Sequence, residues 1–148
     1  MAGAGEPVSL VLGTSLSNSC SMADFSALET AVARLMATQM GEDDVQVLLS
    51  QLETACVTER DFTGVGFYTS FTVDKTLRRA KLASGFGGWV RCEVGPNAYP
   101  LEFILYVDNG YACMIEAYSF FDEYGDLDLL TATFTEPRPG EQDIAGAK

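Results

Sequence analysis

Histidine does not occur in the 148 residues. Its absence removes the commonest general base, the commonest zinc ligand and every Ser–His or Cys–His nucleophile pair. Basic side chains are scarce as well: nine Lys and Arg stand against 21 Asp and Glu, for a formal charge of −12. That balance repels nucleic acid and attracts a basic protein. No apolar run approaches the ~20 residues that cross a bilayer, so a soluble chain with no membrane partner is expected. The four cysteines, Cys20, Cys56, Cys92 and Cys113, lack the short spacings of a zinc site. Three of them lie inside apolar segments, the pattern of reduced, buried thiols in a cytoplasm. Neither a metal nor a cofactor is expected.

Two glycine-rich stretches, "TGVGF" and "GFGGW", match no nucleotide-binding fingerprint. Their glycines Gly64, Gly66, Gly87 and Gly88 read as tight turns or close strand approaches. The acidic run "DEYGDLD" begins at Asp122, but the closing glutamate of a calcium loop would fall on Thr133. No catalytic set is therefore assigned.

What remains is a chain long enough for one domain with a real core. The stretch 1–21 has one charged side chain and neither the basic start nor the long apolar region of a secretory signal. It reads as a flexible leader, with Met22 opening the folded part. The domain is expected over 22–135, and 136–148 is expected to be a flexible tail, polar and broken by proline.

Ser26 followed by Glu29 forms a capping box, and Leu28, Val32, Leu35 and Met36 fall on one helical face that Gly41 can close. A second helix follows, with Glu42, Asp43 and Asp44 at its positive end and Val45, Leu48, Leu49, Leu52 and Cys56 along a stripe. Alternation of Val65, Phe67, Phe71 and Val73, and again of Val90, Cys92 and Val94, marks strands separated by a basic loop around Lys75, Arg78, Arg79 and Lys81. The segments "LEFILYV" and "YACMIEAYSF" make a hairpin about Asn109-Gly110, and "LLTATF" could add an edge strand. The fold class is α+β: an N-terminal helical hairpin packed on one face of a four- to five-stranded antiparallel meander sheet. Its free edge would also allow pairing with a second copy of the chain.

Glu116, in the middle of an apolar strand, depends on the register of that hairpin. A two-residue turn would place it beside Leu101, Leu105 and Val107, in the core. A three-residue loop, Asp108 to Gly110, turns it to the other face with Glu102, and leaves Leu101, Phe103, Leu105 and Val107 sharing a face with Tyr111, Cys113, Ile115 and Ala117. Burying an ionised group unpaired costs several kcal/mol, so the three-residue loop is expected, with Arg60 or Arg91 relieving the repulsion between the two glutamates.

The aromatic residues crowd toward one end of the chain, beside acids. Tyr118, Phe121, Asp122, Glu123, Tyr124, Asp126 and Asp128 are the candidate partner-binding residues, since large aromatic anchors rimmed by carboxylates suit a basic protein. The function expected is that of a non-enzymatic acidic interaction protein, such as an immunity or antitoxin-like inhibitor of a basic partner. The alternative is a small-molecule binding protein or minor enzyme with a pocket between helices and sheet, where Glu59, Arg60, Glu102 and Glu116 would be the polar groups.

An Arg-x-x-Thr-Gly-Val-Gly-Phe strand beginning at Arg60 and a hydrophobic-Glu-x-Tyr strand ending in Glu116 and Tyr118 span about half the chain between them. In these features it resembles a family of small uncharacterised bacterial proteins. The resemblance implies a bacterial cytoplasmic setting and carries no activity with it.

Overall fold

A computed structural model describes residues 24–121 and 123–140. The expected leader, Met22, Cys20, Asp122 and residues 141–148 lie outside the described residues. Helix α1 spans Ala27–Thr38 and α2 spans Val45–Leu52. Six strands follow: β1 Cys56–Phe62, β2 Phe67–Thr72, β3 Gly85–Val94, β4 Tyr99–Asp108, β5 Tyr111–Tyr118 and β6 Arg138–Pro139.

The capping box opens α1 as expected. Ser26 Oγ accepts from the Glu29 N–H at 3.1 Å and Glu29 Oε1 accepts from the Ser26 N–H at 2.8 Å. Helix α1 ends at Thr38 with Gln39 as its C-cap; the Gln39 side chain is bound to the backbone of Trp89 on β3, and Gly41 follows with a φ of 105°. Helix α2 ends at Leu52, so Cys56 opens β1 and is not part of the helical stripe. Asp44 caps nothing with its carboxylate, which accepts instead from the backbone N–H groups of Lys81 and Leu82.

All strand pairs are antiparallel, in the order β1-β2-β5-β4-β3-β6. The expected meander is therefore correct only for β3, β4 and β5; the β1–β2 hairpin adds to the far side of β5. The chain must travel from β2 to β3 past the β4–β5 turn, and the basic loop is that passage. It is fixed to the turn by hydrogen bonds from the Ala80 N–H to Gly110 O and from the Gly110 N–H to Ala83 O. The buried Gln51 of α2 joins them, donating to Arg78 O and Gly110 O and accepting from the Ala112 N–H.

Both helices lie on one face of the sheet. Leu28, Val32, Met36, Leu48 and Leu52 pack there with Phe67, Val90, Phe103, Leu105 and Ile115, all at most 1% exposed, and each large apolar side chain so buried contributes roughly 1.5–3 kcal/mol. Met36 and Met40 press on β3 at Gly88 and Gly87. Gly66 meets a harder obstacle: a Cβ there would lie 1.9 Å from the Ala117 carbonyl oxygen, so only glycine lets β2 start this close to β5.

At the β4–β5 hairpin the structure corrects the expected loop, keeps the expected faces of Ile115, Glu116 and Ala117, and puts Ala112 opposite Val107 where Tyr111 and Cys113 were expected on that face. Asn109 and Gly110 have φ of 54° and 83°, as a two-residue type I′ turn requires. A bulge follows at once: Val107 pairs with Ala112, whereas Tyr106 pairs with Met114. The extra residue, Cys113, shifts every later pair by one, so Ile104 opposes Glu116 and the carboxylate leaves the core. Two expectations about the end of the chain are overturned. Residues 129–134 form turns and a single bridge from Phe134 to Val94 in place of an edge strand. Arg138–Pro139, expected to belong to an unpacked tail, pairs with Val90 and Arg91, and Arg138 clamps Glu93 at 2.7 Å. Among the described residues no helix is long and apolar enough to cross a membrane.

Candidate functional site

The loop after β5 crosses one end of the sheet. The Tyr124 N–H donates to Gly64 O at 3.1 Å, and the Glu123 side chain lies across Gly64, which holds the loop against the β1–β2 hairpin. On its other side the loop faces the β3–β4 turn, and between them is a concave site of about 670 Å³. Phe121, Tyr124 and Tyr99 give it aromatic walls, Val94, Pro100 and Leu127 line it with apolar groups, and the exposed Glu123 and Asp126 add the charge. The Tyr99 and Tyr124 rings meet edge to face at 5.9 Å. The Tyr99 hydroxyl is buried with no hydrogen-bond partner among the described residues, a costly state for a polar group. Burial, with Tyr99 and Glu123 alongside, raises the Tyr124 phenol above its ordinary value.

Four of the seven residues expected to bind a partner, Phe121, Glu123, Tyr124 and Asp126, line this one site. Asp122 lies outside the described residues. Asp128 is spent on local structure, accepting from the Leu130 N–H at 3.0 Å. Tyr118 belongs to the open face of the sheet, where its ring stacks edge-on against Phe120. Phe121 itself is 66% exposed, a large apolar side chain held out at the rim.

The four polar residues expected in a pocket between helices and sheet are divided between opposite faces. Arg60 alone turns toward the helices, where it holds the fully buried Glu29 by Nε to Oε2 at 3.0 Å and Nη2 to Oε1 at 2.7 Å. The Thr69 hydroxyl also donates to that carboxylate. Arg60 is consequently committed and does not meet Glu102 or Glu116. Those two lie on the open face, together with the exposed Glu59 on β1. Of the two arginines expected to relieve their repulsion, Arg91 stands opposite Glu102 in the register of β3 and β4, and neutral donors also serve the carboxylates: Trp89 Nε1 donates to Glu102 Oε1 at 2.6 Å, the Tyr118 hydroxyl reaches the same oxygen at 3.4 Å, and the Tyr106 hydroxyl donates to Glu116 Oε1 at 2.8 Å. Burial and these carboxylates push the Tyr106 and Tyr118 phenols up to about 12.

Cys92 and Cys113 are free, while Cys56 is disulfide-bonded, which corrects the expectation of four reduced thiols. Burial raises the Cys92 thiol to about 12, so it is inert at neutral pH. Among the described residues no cluster of Cys, Asp and Glu could hold a metal ion.

Sequence reasoning missed Tyr99, Trp89 and the buried role of Glu29. For Glu29 a signal existed, since the capping glutamate falls one residue after Leu28 on the face that meets the sheet. Tyr99 reaches the site only because two segments distant in sequence meet. No family model, curated protein or solved structure matches the chain.

Proposed function

We propose that this is a non-enzymatic acidic binding protein that docks a basic partner protein through the concave site at the end of its sheet. The observation that carries the reading is the convergence of Tyr99, Phe121 and Tyr124 with Glu123 and Asp126 around one cavity. Aromatic faces and carboxylates together stabilise a Lys or Arg side chain, by cation–π attraction and by charge-assisted hydrogen bonds. The net charge of −12 would speed the encounter.

The setting that fits is an immunity or antitoxin-like inhibitor in a bacterial cytoplasm, covering the basic surface of a toxin. Free Cys92 and Cys113 agree with that compartment. The disulfide at Cys56 is the exception to that pattern, and its persistence in cell extracts would argue for an oxidising compartment instead. Affinity capture from the native host tests the function: a basic protein should be retained at moderate salt, released at high salt, and lost from the Glu123→Lys, Asp126→Lys double variant. Retention unchanged by the double variant would overturn the site.

A further inference from the structure

The opposite end of the sheet carries the opposite charge. Hydrogen-bonded pairing between β2 and β5 runs only from Phe67 with Ala117 to Ser70 with Met114. Beyond that point Thr72 and the bulged Cys113 face a concave site of about 410 Å³ that Lys75 and Arg79 complete from the basic loop. Both cations lie over the Tyr111 ring, Lys75 Nζ at 5.5 Å and the Arg79 guanidinium carbon at 5.7 Å from its centroid. The ring is a fixed platform, 7% exposed, and its hydroxyl is bound to Lys75 O and Leu77 O at 2.8 and 3.1 Å. The loop is therefore tied down on both sides of the two cations. Arg60, Lys81 and Arg138 have carboxylate partners. Among the described residues Lys75 and Arg79 have none, although acids outnumber bases 21 to nine in the chain.

We propose that this site binds a small phosphate-type anion, inorganic phosphate or a phosphomonoester. A guanidinium fork and an ammonium point charge set over one ring can engage different oxygens of a tetrahedral anion, whereas a planar carboxylate is satisfied by the arginine alone. The Thr72 hydroxyl is a further donor at the wall. Asp108, also at the wall, opposes the anion and sets a ceiling on affinity. Cys113 takes no covalent part: its partly buried thiol points to Tyr106 O at 3.6 Å.

Titration of the intact chain with inorganic phosphate, followed by amide NMR at constant ionic strength, tests the site. Saturable shifts confined to residues 72–80 and 108–113 are expected. Lys75→Ala and Arg79→Ala should each weaken binding about tenfold, and Asp108→Asn should strengthen it. Arg79→Ala keeps the Cβ that packs on Gly110, so folding is retained, and unchanged shifts elsewhere check that. Shifts that do not saturate, that survive the Lys75→Ala, Arg79→Ala double variant, or that appear only with vesicles containing phosphatidic acid would overturn the proposal.

Discussion

Arg60 grips Glu29 with two hydrogen bonds, of 3.0 and 2.7 Å, and so ties the edge strand β1 to helix α1. The partners are unequal: the Glu29 side chain is 0% exposed and that of Arg60 24%. Removing the arginine strands a carboxylate in the core, whereas neutralising the glutamate leaves a guanidinium that water reaches. Arg60→Ala should therefore cost about 3–5 kcal/mol and Glu29→Gln distinctly less. Urea unfolding measures both, and equal costs would contradict the assignment.

The same pair sets an acid limit on stability. Burial by itself would push the Glu29 carboxyl up, but the hydrogen bonds from Arg60, Thr69 and Ser26 together hold it below its ordinary 4.5. With a folded value below the unfolded one, its contribution is complete above the unfolded value and is lost as pH falls through the folded value. In thermal unfolding the wild type should lose more stability than Glu29→Gln below about pH 4. Parallel curves for the two proteins would rule this out.

On the open face, Tyr106 and Tyr118 should ionise late. Ultraviolet titration should resolve two phenols that remain protonated to about 12. Glu116→Gln removes the charge that Tyr106 faces and should lower the Tyr106 value more than that of Tyr118, which depends chiefly on burial and Glu102. An unmoved Tyr106 would mean that the 2.8 Å bond to Glu116 does not persist in solution.

Gly66→Ala should destabilise by the upper part of the roughly 1–3 kcal/mol that overpacking costs. The added methyl group meets the Ala117 carbonyl at 1.9 Å, and backbone cannot rotate out of its way. Loss of the β2–β5 amide protection in hydrogen exchange would locate the damage, and wild-type protection there would contradict the close approach.

Much of this fold is legible in the residues because one face of the sheet is dry. Val90, Cys92 and Val94, and Leu101, Phe103, Leu105 and Val107, alternate in sequence and are all buried together. The same pressure predicts the outward face of Glu116, although the structure achieves it with a two-residue turn and a bulge where a longer loop was expected. The strand expected to run from Arg60 through Phe67 is broken in the structure into β1 and β2, and the break is hard to read because a bulge and the ion-paired Arg60 interrupt the inward row of Val57, Arg60 and Phe62. Strand β6 escapes notice because Arg138 and Pro139 join the sheet through Glu93 and the free edge of β3, not through a hydrophobic pattern. In the candidate site, the stretch around Phe121 to Asp126 is recognisable by composition. Its closure by Tyr99 and the β3–β4 turn is tertiary, and no local pattern announces it.

Binding of an Arg- and Lys-rich peptide by calorimetry tests the central claim most directly, because it separates the site from the overall charge. Glu123→Gln with Asp126→Asn removes two carboxylates at the cavity, and Glu42→Gln with Glu53→Gln removes two exposed ones elsewhere. The cavity pair should weaken binding about tenfold or more and the distant pair by much less, as rim charges do, with Phe121→Ala adding a further loss at unchanged net charge. Equal weakening by the two pairs would show attraction to a diffuse acidic surface and contradict a docking site at the end of the sheet.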